Sequence, residues 1–298
     1  MRFSILLPSA EGKQPGGNPL APDMFDYRAS NTFNYFSDLN PERRALIDAL
    51  QAQVRDGEDL PALFGLKGDH LEAAVAATLD VYRSPLMAAI DRYSPGVMYQ
   101  AMEFGALPTG AQRRLLENGI IFSGLFGLLR PDDLIPDYRL SMDASVRGIG
   151  KVSRYWRPFV SAHLNRLLTG HVVWNLLPGT HEDAWEDAGT YRRMLRVKFF
   201  RERDGQRKAV SHGVKELRGA LVHFIVTTLA ETAEDLDAWD APGGFEPDFG
   251  ASELDERGGG TVVFVAHPDW EARRAARHRR RAEAAAPRAR GDEDEDDE

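Results

Sequence analysis

The chain has 298 residues, 43% of them hydrophobic, with a formal net charge of -9 and no cysteine. That is enough apolar material for one substantial core, and the lack of thiols excludes a disulfide framework, a thiolate nucleophile and a thiolate metal site. The longest apolar run, Ile120 to Leu129, is interrupted by Ser and Gly and falls far short of the ~20 residues a membrane helix needs. Residues 1 to 7 lack the sections of a signal peptide, so the cytoplasm is the expected compartment and no membrane partner is expected. The acidic balance argues against a protein that coats nucleic acid, although a local basic groove can exist on an acidic chain.

Met1 to Leu7 reads as the strand that begins a sheet, and Pro8-Ser9-Ala10-Glu11-Gly12-Lys13 would leave its carboxyl end, where α/β folds bind ligands. Residues 14 to 40, rich in Pro, Gly and Asn, read as a surface loop. Asn40-Pro41 then opens a helix running to about Arg55, with Asn40 as its capping residue. Capping boxes are expected at Asp69 with Glu72, before a helix over Leu71 to Tyr82, and at Thr109 with Gln112, before one ending near Asn118. A helix is expected over 155 to 168 and a buried strand over Val172 to Leu176. Asp204-Gly205 is the strongest hairpin signal. Val214 to Ala230 reads as a long helix whose inner face carries Leu217, Leu221, Phe224, Ile225 and Thr228. The sum is a mixed α/β or α+β domain over residues 1 to 270, centred on one sheet, with a helical insertion at about 41 to 118. After Trp270 an Arg-Ala-rich stretch precedes a wholly acidic end, and residues 271 to 298 are expected to be a disordered, solvated tail.

The densest candidate site is Ser123 to Met142. Pro131 pushes Arg130 out of helical geometry, and Pro136 with Tyr138-Arg139 brings a second guanidinium back near the same edge, a pattern that suits phosphate or carboxylate. The competing reading pairs Arg130 and Arg139 with Asp132, Asp133 or Asp137 to hold an irregular loop. Gly124 and Gly127 allow a tight turn or a close approach. Lys215 and Arg218 lie three apart at a helix start, where cations oppose the macrodipole unless an anion is present. Leu60 to Ala73 looks like a helix-hairpin-helix element whose turn, Gly65-Leu66-Lys67-Gly68, would offer amides to a DNA phosphate; a plain loop between core helices is the alternative. Tyr99 would stack on a base, bond a phosphate or satisfy a backbone partner, whereas Trp156 reads as core. The scattered histidines make no metal site, and no Walker loop, nucleophile elbow or dinucleotide fingerprint is present, so no cofactor is expected. Ser9, Ser123, Glu182 and Lys215 could still be polar members of a small-molecule site.

The segment Ser123-Gly-Leu-Phe-Gly-Leu-Leu-Arg-Pro-Asp-Asp133, continuing through Tyr138-Arg139-Leu140 to Met142, resembles the corresponding segment of the peroxide stress protein YaaA family. The likeness extends in order through Leu6 to Ser9, Tyr93 to Tyr99, Tyr155-Trp156, Val172 to Leu176, Lys215 to Gly219 and Thr261 to Val265, covering approximately residues 1 to 266. Where the family has Ser-Pro-Ala-Lys, this chain has Pro8-Ser9-Ala10-Glu11, and its lysine is displaced to Lys13. The resemblance implies a cytoplasmic response to hydrogen peroxide that limits Fenton damage by lowering available iron, with DNA bound through a helix-hairpin-helix motif and a basic cleft. The DNA or anion contacts would be Arg130, Arg139, Lys215, Arg218, Tyr99, Lys67, Gly65 and Gly68. The alternative is an enzyme acting on a nucleobase or nucleotide-sized substrate.

Overall fold

A computed structural model describes residues 2–21 and 35–273, together with 275, 276 and 279. In chain order its strands are β1 (Phe3–Pro8), β2 (Met87–Ala88), β3 (Gly119–Ser123), β4 (Gly127–Leu129), β5 (Leu134–Ile135), β6 (Ser145–Val146), β7 (Gly150–Lys151), β8 (Val172–Asn175), β9 (Arg193–Arg203), β10 (Gln206–Ala209), β11 (Phe245–Leu254) and β12 (Gly260–Ala266). Its helices are α1 (Asn40–Asp56), α2 (Leu60–Phe64), α3 (Asp69–Leu79), α4 (Ala89–Arg92), α5 (Val97–Met102), α6 (Thr109–Asn118), α7 (Val152–Leu167), α8 (Gly179–Glu182) and α9 (Val214–Thr228).

One mixed sheet runs β11-β12-β9-β8-β1-β3-β4, with β10 paired to β9. The five central strands are mutually parallel: β1 with β3 and β8, β8 with β9, and β9 with β12. β1, β3 and β8 are buried along nearly their whole lengths. Continuous apolar sequence is what parallel strands covered on both faces require, which is why these segments do not alternate. Because the strands share a direction, Pro8, Ser123 and Asn175 end on one carboxyl edge. Helices α1 to α6 fill the crossover from β1 to β3, and α6 packs against both strands and against α9. No helix of the described residues is long and apolar enough to cross a membrane.

Several local expectations are met. The β9–β10 hairpin turns at Asp204 (φ 51°) and Gly205 (φ 71°), the left-handed pair that a two-residue hairpin of this hand needs. Trp156 is fully buried, and its indole N–H donates to the Gly124 carbonyl at 2.8 Å. Gly127, at φ 70°, faces that indole so closely that a Cβ would sit 2.8 Å from it. The close approach inferred from Gly127 is thus to a side chain of the same core.

Other expectations need correction. Asn40 is the first residue of α1 rather than its cap, because a 3₁₀ turn over Ser37–Leu39 runs straight into the helix; its side-chain oxygen instead accepts from Arg43 at 2.9 Å. Neither capping box forms. Gly68 and Pro108 occupy the cap positions without side-chain bonds, and Gln112 turns back to donate to the carbonyls of Phe104 and Leu107. Helix α7 begins three residues earlier than expected and carries Pro158 inside it, where the ring removes the amide that would bond the Arg154 carbonyl. On α9 the buried stripe runs through Leu217, Leu221, Val222, Ile225 and Val226, leaving Thr228 exposed and Phe224 half-buried. The glycine in that stripe, Gly219, meets the Met98 carbonyl of α5, so any side chain there would separate the two helices. Of the expected loop, residues 22–34 lie outside the described residues, as do 274, 277–278 and 280–298 of the expected tail.

Candidate anion site at the carboxyl edge of the parallel strands

The chain leaving β1 turns across the edge, and Lys13 folds back over the ring of Tyr138, 4.2 Å from its centroid, with Tyr93 at 5.6 Å. Its ammonium donates to the backbone carbonyls of Ala10 (3.1 Å) and Glu11 (3.5 Å), not to a carboxylate. Beneath it runs a buried chain of hydroxyls. The Ser123 hydroxyl lies 2.7 Å from that of Tyr138, which lies 2.5 Å from that of Tyr93, and the Phe126 amide donates to Ser123. Ser9 adds a further hydroxyl to Tyr138. The Arg139 guanidinium donates to the Glu11 carbonyl, on the same loop as Lys13. Burial, then the positive charge of Arg139 and, least of all, that of Arg92 bring the Lys13 pKa down to about 7 against the opposing pull of Asp137 and Glu11. One oxygen of Asp137 is buried with no hydrogen-bond partner among the described residues.

A second group stands over the end of β8. Asn175 donates to Glu182 of α8 at 2.6 Å, and Arg196 reaches the same carboxylate at 3.2 Å. From the first turns of α9, exposed Lys215 stands close enough to His181 to combine with burial in holding that imidazole at about 4, so it is neutral at ordinary pH. Arg218 is half-buried near Glu182, and its Nε is buried without a hydrogen-bond partner among the described residues. Between the two groups sits Tyr99 of α5, buried and donating to the Pro8 carbonyl at 2.9 Å. Tyr99 therefore takes the backbone-satisfying role.

Arg130 lies elsewhere. β4 runs antiparallel to β3, so Arg130 returns to the amino end of β3 while Arg139 reaches the carboxyl end. Its guanidinium donates to the carbonyls of Leu116 and Glu117 in the last turn of α6 and stacks on Tyr35 at 4.4 Å, and its amide donates to Asp133 at 2.8 Å. The two arginines are thus not on one edge, because β4 carries the chain back along β3 before Arg130, and the segment after β5 returns Arg139 to the loop that leaves β1. Gly65, Lys67 and Gly68 form an exposed turn between α2 and α3, with both glycines in the left-handed region at φ 65° and 55°. Sequence reasoning missed Arg92 and the Tyr93–Tyr138 hydroxyl pair, and left Lys13 without a role. Adjacency of Tyr138 to Arg139 was the available signal, but only the fold shows that Tyr93 meets it. Among the described residues no group of three or more His, Asp or Glu could hold a metal ion.

Geometry alone defines an α/β protein with cations gathered at the carboxyl edge of its parallel strands, the usual ligand position in such sheets. The family model of peroxide stress protein YaaA matches residues 3–248, and the chain belongs to that family. A UPF0246 protein of Corynebacterium efficiens is 32% identical over 76% of this chain and 86% of its own length. One from Cereibacter sphaeroides is 31% identical over 73% and 89%, and one from Streptomyces coelicolor 28% over 75% and 83%. Membership fits a role in peroxide stress.

Proposed function

We propose that this protein acts in the cytoplasmic response to peroxide by binding DNA phosphates along the carboxyl edge, and that it limits Fenton damage by lowering available iron. The observation that carries the DNA reading is the line of cations from separate segments, Lys13 and Arg139 beside β1 and β3 and Lys215 and Arg218 beside β8, on a chain whose net charge is -9. Cations brought together and only partly compensated favour a polyanion. Lys67 and the exposed turn from Gly65 to Gly68 offer a second phosphate-binding point of the helix-hairpin-helix kind, although the Gly65 amide is already given to the Pro61 carbonyl. Tyr99 and Arg130 support the scaffold around these groups. The iron component rests on family likeness, not on any residue. The test is duplex affinity across a salt series: replacing Lys215 and Arg218 by Ala lowers affinity for unrelated sequences and removes ~0.9 from the log–log salt slope for each phosphate no longer neutralised. Unchanged affinity and slope would overturn the reading.

A second reading, an enzyme acting on a nucleobase or nucleotide-sized substrate, is favoured by the buried hydroxyl chain beside Lys13. Saturable binding of a mononucleotide that duplex DNA does not displace would select it.

A further inference from the structure

We propose that Lys13 is a reactive amine that forms an imine with an aldehyde flanked by phosphate, the chemistry presented by an abasic sugar in DNA. The inference deepens the phosphate-binding reading and rests on it. Three observations carry it. Lys13 is half-buried on the loop that leaves β1, and its Nζ lies over the faces of Tyr138 and Tyr93, held among the described residues by two backbone carbonyls. The charged and titratable groups facing it are Glu11 on its own loop, Arg92 and Tyr93 from α4 and the turn after it, and Asp137, Tyr138 and Arg139 from the segment after β5. Two of these are arginines, and a lysine desolvated beside cations is the arrangement that keeps an amine neutral and nucleophilic near neutrality. Finally, hydroxyls of Ser9, Ser123, Tyr138 and Tyr93 lie in one connected group beside the amine, where a carbonyl oxygen must collect protons.

The step balances without an oxidant or reductant. The Lys13 lone pair adds to the carbonyl carbon, and the π pair moves to oxygen, which takes a proton through the hydroxyl group. Nitrogen releases one proton to give the carbinolamine; the carbinolamine oxygen takes a second proton and leaves as water as the C=N bond forms, and nitrogen releases its remaining proton to the hydroxyl group. One amine and one aldehyde give one imine and one water. Arg139 is placed to hold the adjoining phosphate.

The test traps the imine with borohydride on the full chain, using two probes and peptide mapping. One probe is a duplex carrying a single abasic site, with the intact duplex as control; the other is pyridoxal 5′-phosphate, with unphosphorylated pyridoxal as control. The expected result is covalent capture of the abasic duplex at Lys13, with at least ten-fold less at exposed Lys67, Lys208 and Lys215, half-maximal near the pH of about 7 at which the amine loses its proton. Arg139→Gln is expected to abolish the preference for pyridoxal 5′-phosphate over pyridoxal and to move half-maximal labelling of Lys13 to higher pH, because the neighbouring positive charge is gone. Capture of pyridoxal 5′-phosphate alone would keep the reactive amine and reject DNA as the source of its aldehyde. Labelling of Lys13 no faster than of the exposed lysines, on a duplex that still binds, would overturn the proposal and leave the phosphate reading standing.

Discussion

At the amino end of β3 a buried arginine is fully occupied, and at the carboxyl end a lysine is not. Arg130 donates to the last carbonyls of α6, where a cation also complements the helix dipole, and its amide meets Asp133. At the β3–β4 turn Arg43 is likewise used up inside the scaffold: it is completely buried and bonds the carbonyls of Phe126 (2.9 Å) and Leu128 (2.7 Å) together with Asn40. Charge there is consumed by the backbone. At the other end Lys13 and Arg139 face each other over a loop, and burial lowers the proton affinity of the lysine. Two cationic motifs a few residues apart in sequence therefore do different things, one closing the scaffold and the other leaving charge for a ligand.

Breaking the scaffold around the β3–β4 turn has the largest expected effect. Arg43→Met leaves buried carbonyls without donors and costs about 3–5 kcal/mol in urea denaturation. A loss below about 1 kcal/mol would mean that water replaces it. Gly127→Ala adds a left-handed alanine and a collision with Trp156, for about 2–4 kcal/mol by the same measurement.

The smallest effects, which are the most diagnostic, come from pH, because the two ends respond with opposite sign. Burial raises the Asp133 carboxyl to about 6, despite its bonds from the Arg130 and Tyr35 amides. The folded state then binds more protons than the unfolded one between about 4 and 6, so this contribution is present at acid pH and is lost as pH rises through 6. Lys13 is depressed to about 7, so its contribution is present above its ordinary value of 10.5 and is lost as pH falls through 7. Asp133→Asn is expected to flatten stability between pH 4 and 6, and Lys13→Met between about pH 7 and 10, each by about 1–3 kcal/mol. Denaturant midpoints at several pH values read both. Identical pH profiles for Lys13→Met and wild type would show that the ammonium is fully solvated.

Much of the fold can be read along the chain because its signals are local. Apolar runs mark β1, β3 and β8, Asp204-Gly205 marks the hairpin, and Leu217 to Ile225 marks α9. The helix caps mislead because side chains at Asn40, Asp69 and Thr109 compete with partners and turns that only the folded chain supplies.

The site divides in the same way. Sequence alone determined that Arg139, Lys215 and Arg218 are cations near turns or helix starts, that Trp156 reads as core and that Gly127 allows a tight turn or a close approach. Tertiary structure decided that Arg130 caps α6, that Tyr93 meets Tyr138 across 45 residues, and that Lys13 is desolvated beside Arg139. The physical reason is that a charge's role depends on what lies within a few ångströms of it, and parallel strands joined by long crossovers bring together segments that sequence spacing keeps apart.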